Sequence, residues 1–121
     1  RGALETRRGR VAEHDLVTEV YVVTSGGGTI LTGADLVNKV RRPPDNRAVQ
    51  FLNGPGNNAE NVRDGVTHHL KEGDVFVIPA GTGHEFTEIP DHITYMMVRV
   101  DPDKIVPLMD ATASRRYLDE R

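Results

Sequence analysis

The stretch that decides the fold is Gly73-Asp74-Val75-Phe76-Val77-Ile78-Pro79-Ala80-Gly81-Thr82-Gly83-His84. Four apolar residues, Val75 to Ile78, stand between two turn signals, which predicts a short buried strand. Gly73 allows the turn into that strand. Pro79 and Gly81 bend the chain at its end, since Pro fixes φ and Gly reaches conformations closed to other residues. His84 then opens a further strand, His84 to Ile89.

The same punctuation continues outward on both sides. Val66 to Leu70 reads as a strand, and Lys71-Glu72-Gly73-Asp74 as a turn. Pro90-Asp91 turns again before a strong strand at Ile93 to Val100. Toward the N-terminus, Val17 to Thr24 is β-branched and aromatic, the strongest strand of the chain. Ser25-Gly26-Gly27-Gly28 predicts a hairpin turn, with Thr29 to Thr32 as its returning arm. Ala3 to Arg10 reads as an edge strand. Residues 33–58 carry Arg41-Arg42-Pro43-Pro44-Asp45-Asn46 and Asn53-Gly54-Pro55-Gly56-Asn57-Asn58. They predict a long surface excursion with at most a short strand near Ala48 to Leu52. Asp101-Pro102 looks like a brief helix start, and Asp110 to Arg121 like a terminal helix docked through Tyr117 and Leu118. Roughly seven to nine short strands with helix only at the end define an all-β sandwich or barrel.

Length and composition bound the function. The chain has 121 residues, the size of one domain, which excludes a two-domain enzyme with a separate cofactor domain. The 15 Lys+Arg against 18 Asp+Glu give a formal charge of −3, which argues against broad nucleic-acid or anionic-membrane binding. With no cysteine, a thiol nucleophile, thiolate zinc sites, iron–sulfur clusters and disulfides are excluded. No apolar run approaches the roughly 20 residues of a membrane span. The chain begins with Arg1 rather than Met, which reads as a processed or trimmed start and leaves localisation unknown. Gly26-Gly27-Gly28 lacks the helix and Lys-Ser/Thr of a phosphate loop.

The segment 73–84 fits G-x5-P-x-G-x2-H, the second motif of the cupin superfamily, at every position through the histidine. The asparagine usual four residues later is Glu88. In the first motif, G-x5-H-x-H-x3–4-E-x6-G, His14, Glu19 and Gly26 fit the second histidine, the glutamate and the last glycine. Ala12 replaces the first histidine and Thr6 the leading glycine. The chain therefore resembles small single-domain cupins over about residues 10–105. The resemblance implies a cupin-type jelly-roll β-barrel over about 3–100 with a short C-terminal helical tail over about 102–121. It also implies a homodimer and a divalent metal in the barrel.

Two imidazoles and a carboxylate are by themselves a sufficient ligand set for a divalent first-row ion. The candidate metal ligands are His14, Glu19 and His84, and the ion is Fe, Mn, Ni or Zn. His14 and Glu19 are five apart and converge only if the chain turns near Asp15-Leu16. With Glu19 inward, Tyr21 and Val23 share its face; with His84 inward, Phe86 and Glu88 share its face. Ala12 leaves three alternatives: an open position for water or substrate, replacement by His68 or His69, or a weak or absent metal. The first functional expectation is a small-molecule-binding cupin acting as a metal-dependent oxygenase or lyase/isomerase, with Tyr21 and His84 as catalytic candidates. The alternatives are a non-catalytic sensor or storage cupin, and a metal-free cupin using His84 as acid/base. The partner in each case is a small organic ligand.

Overall fold

The structure, a computed structural model, describes residues 10–120. Its strands are β1 (Val11–His14), β2 (Thr18–Gly33), β3 (Asp35–Val37), β4 (Val40–Arg41), β5 (Gly56–Ala59), β6 (Asn61–Arg63), β7 (Val66–Lys71), β8 (Val75–Ile78), β9 (Gly83–Glu88) and β10 (Ile93–Val100). A π-helical turn spans Val49–Asn53, and one helix, α1 (Ala111–Glu120), follows the last strand. All strand pairs are antiparallel. The fold is an all-β cupin jelly roll with a short C-terminal helix.

β2 organises the barrel. Its first half lies between β10 and β8, with Glu19 opposite both Arg99 and Ile78. Its second half lies between β7 and β9, with Ile30 opposite His68 and Phe86. β9 continues through β1 to β5 and β4. One strand thus serves both walls, and the inward residues Tyr21, Val23, Ile30, Leu70 and Ile78 form the main core. Phe86 and Tyr95 pack against Tyr21, whose ring stacks on Tyr95 at 4.3 Å. A second cluster, Val11, Ala59 and Val62, closes the other end of the sheet.

The hairpin expected at 25–28 is instead the corner of this continuous strand. Gly26 has φ +72°, and a Cβ there would stand 2.0 Å from the His92 carbonyl oxygen; one on Gly27 would stand 2.4 Å from that of Leu70. The glycines are needed for close approach of neighbouring strands rather than for reversal of direction. The strand expected at 48–52 is the π-helical turn. The Asn46 side-chain oxygen accepts the amides of Ala48 and Val49, capping helical rather than extended backbone. The helix expected from Asp101 does not propagate. Asp101 does accept the amides of Ile105 and Val106, as a cap would, but Lys104 has φ +51° and breaks the helical path. β8 is buried on one face only, because Val75 and Val77 point outward. Tyr117 docks against Phe51, whereas Leu118 is exposed. The edge strand expected at 3–10 lies outside the described residues apart from Arg10.

Candidate metal centre

Three chain segments converge inside the barrel. β1 ends at His14, the chain bends at Asp15-Leu16, and β2 brings in Glu19 as its second residue. The bend between β8 and β9 docks on the end of β1, where the Gly81 amide donates to the His14 carbonyl at 2.7 Å. Gly81 has φ +83°, the left-handed conformation the motif glycine supplies. His84, second in β9, is the Cα partner of Ala12. His14, Glu19 and His84 are all buried, and one ligand atom from each lies within 4.8 Å of the others. The turn required between His14 and Glu19 is present, so the two share an interior point despite their odd spacing.

The proton arrangement is informative. His84 Nδ1 lies 3.1 Å from the Thr82 carbonyl oxygen. A carbonyl only accepts, so Nδ1 carries a proton, and Nε2 faces Glu19 Oε1 at 3.4 Å. His14 Nε2 lies 3.4 Å from the Asn53 amide nitrogen and 3.7 Å from Glu19 Oε2. Asn53 donates there, so Nε2 of neutral His14 is an acceptor, and its buried Nδ1 has no hydrogen-bond partner. Burial lowers the His14 pKa to about 4, against the raising influence of Glu19. Burial also pulls the Glu19 carboxyl upward. The adjacent imidazoles of His84 and His14, which would donate to and attract the carboxylate once protonated, and the Arg99 guanidinium outweigh it and hold Glu19 below the usual carboxylate range. Two Nε2 atoms thus meet one carboxylate at 3.4 and 3.7 Å. Bare lone pairs facing an anion repel, so a proton or a cation must lie between them.

A cation fits this set. Metal–ligand distances of about 2.0–2.2 Å at tetrahedral or octahedral angles separate ligand atoms by roughly 3.0–3.5 Å. The His84 spacing of 3.4 Å to Oε1 falls in that range, the His14 spacing of 3.7 Å to Oε2 lies just beyond it, and the three ligand atoms together lie within 4.8 Å. The Thr82 carbonyl fixes the His84 tautomer in the way that outer partners orient metal-bound imidazoles.

Around the three ligands lie further groups. Tyr21, 3% exposed, donates its hydroxyl to Glu19 Oε1 at 3.3 Å. Burial, then the Glu19 charge, push its pKa well above the ordinary phenol value. Arg99 and Asn53 were missed in the sequence. Arg99 Nε lies 3.8 Å from Glu19 Oε2 and donates to the side-chain oxygen of Asn53. Strand alternation offers a signal for Arg99, since it shares the inward register of Tyr95 and Met97. Asn53 sits in the irregular excursion, where no periodicity marks it. His68 tilts against the Phe76 ring at 4.8 Å, and His69 Nδ1 meets Thr29 Oγ1; neither joins the three-residue group. Phe86 packs on the core, whereas Glu88 is exposed. His92 bridges Ser25 and Asp91 at 2.7 and 2.8 Å. Asp91 is 90% exposed, so solvent screens that chain and weakens its hold on the imidazole.

A jelly roll with two histidines and a glutamate gathered inside is a cupin. Residues 60–121 match the family of AraC-like ligand binding domains, itself of cupin fold, and the chain belongs to that family. The match holds His84 and Arg99, while His14, Glu19 and Tyr21 precede it. No curated protein and no solved structure matches the chain. Small-molecule binding is the function this family membership supports. No helix among the described residues is long and apolar enough to cross a membrane.

Proposed function

We propose that the chain, as one cupin domain, binds a small organic molecule at a divalent cation held by His14, Glu19 and His84. We further propose that it turns that molecule over by an oxygenase or lyase/isomerase type of reaction. The observation that carries this reading is the pair of imidazole Nε2 atoms aimed at one buried carboxylate. A cation there would supply Lewis-acid polarisation of a bound oxygen atom. The chain's own residues do the rest. Thr82 holds the His84 ring in one tautomer. Tyr21 remains protonated, so it can give a proton and not take one, and it steadies Glu19 meanwhile. Ala12, opposite His84, carries only a methyl group where a fourth ligand would stand, which favours access by ligand.

Binding without turnover is the second reading, favoured by the match to a ligand-binding family. Elemental analysis of protein grown with added metals tests the metal. About one equivalent of Fe, Mn, Ni or Zn, lost in His84→Ala, is the expected result. Less than roughly 0.1 equivalents in the unaltered protein would end the metal reading.

We also propose a homodimer. Val75 and Val77 on β8 are 64% and 53% exposed, and Met96, Val98 and Val100 on β10 lie exposed on the same outer face. Together they present on the order of 400 Å² of apolar surface, within the size range of functional patches. Sedimentation should give a dimer at tens of micromolar and a monomer for Val77→Glu. A monomeric unaltered protein would refute the dimer.

A further inference from the structure

A cleft of about 560 Å³ lies between the π-helical turn, the segment after β10 and α1. Phe51, Leu52, Val106, Leu108 and Tyr117 supply apolar wall, and Arg99 is part of the same wall. The two aromatic rings are held from outside, with the Arg47 guanidinium 4.6 Å from the Tyr117 ring and 5.5 Å from that of Phe51. Arg99 therefore belongs to two places. Its Nε faces inward, against Glu19 and Asn53, beside the buried cluster. Among the described residues its polar contacts fall on Nε, and its side chain is 33% exposed. That leaves both terminal nitrogens of a planar fork, whose position is set from within. Asp101, the acid in the cleft wall, accepts backbone amides on both oxygens, so its charge is engaged locally.

We propose that this cleft is the ligand's entry and binding site, and that its ligand is a carboxylate with an apolar, preferably aromatic, body. The carboxylate docks on the terminal nitrogens of Arg99. The body lies on Phe51, Leu52 and Tyr117. A fork fixed at Nε presents parallel N–H donors, the geometry that carboxylates match and alcohols do not. Anchoring there sets the acid end beside Glu19 and hence beside His14 and His84. The inference rests on the small-molecule reading above and names the class of molecule.

The test uses phenylbutyrate and phenylbutanol as probes, titrated calorimetrically into the full chain, with metal content measured on the same samples. The acid should bind at least tenfold more tightly than the alcohol. Arg99→Gln should abolish that preference while leaving alcohol binding within about twofold, and Phe51→Ser should weaken both probes. If Arg99→Gln fails to fold, Arg99→Lys serves instead: it keeps the charge, loses the fork, and should cut the preference at least threefold. Equal binding of the two probes, no binding of either, or a preference that survives these Arg99 changes overturns the proposal. Metal content separates the failures: an Arg99-dependent preference in a protein without metal would remove the metal reading alone.

Discussion

Glu19→Gln is the most informative single change, because it keeps shape and removes charge at the point where His14, His84, Tyr21 and Arg99 meet. The residue is 1% exposed, with neighbours at 3.3 Å (Tyr21), 3.4 Å (His84), 3.7 Å (His14) and 3.8 Å (Arg99). At an effective dielectric of about 20, the Arg99 attraction alone is on the order of 4 kcal/mol before desolvation. Burial of the carboxylate offsets much of this, and partial exposure of Arg99 screens more. The net loss of stability in chelator-treated protein should be about 1–2 kcal/mol, read by urea denaturation. Metal affinity should fall further, by at least roughly 100-fold, because a neutral amide replaces the only anionic ligand. Competition titration against a chromophoric chelator measures it. Glu88→Gln, at an exposed position on β9, is the control and should change stability by less than about 0.5 kcal/mol. A Glu19→Gln protein with stability and metal affinity both indistinguishable from the parent would show that the carboxylate is not the centre of the cluster.

Three further outcomes are expected. Gly26→Ala should destabilise by more than about 3 kcal/mol, because its Cβ meets a backbone oxygen at 2.0 Å. Gly73→Ala, also at positive φ but with nothing within 4 Å, should lose only about 1–2 kcal/mol; equal losses in urea unfolding would remove the corner role assigned to Gly26. In chelator, the unfolded His14 takes up a proton near its ordinary 6.5 while the folded one resists until about 4. Folding stability from this group is therefore complete above pH 6.5 and lost as pH falls to 4, by about 3 kcal/mol; His14→Gln should flatten that part of the profile, and an unchanged slope would contradict it. Ala12→His, across from His84, should raise metal affinity roughly tenfold by adding a fourth ligand, and an unaltered affinity would place that side chain outside the cluster.

Periodicity and turn chemistry are local, so the sequence by itself determined what depends on neighbours along the chain. The strands around 66–70, 75–78, 84–89 and 93–100 follow from short apolar runs between Gly and Pro signals. The two motifs mark His14, Glu19 and His84 as a group by spacing alone. Only the tertiary structure decided where local rules yield to contacts between distant segments. Gly26-Gly27-Gly28 has the composition of a hairpin, yet close approach of His92 and Leu70 makes it the corner of a long strand. Val75 and Val77 read as buried because an apolar residue does not report which side of the sheet is covered. Asn53 and Arg99, 46 residues apart, meet beside the cluster only because the irregular segment folds back over the barrel mouth. A charge on an inward register is visible in sequence, but its partner and the cleft it joins are products of packing.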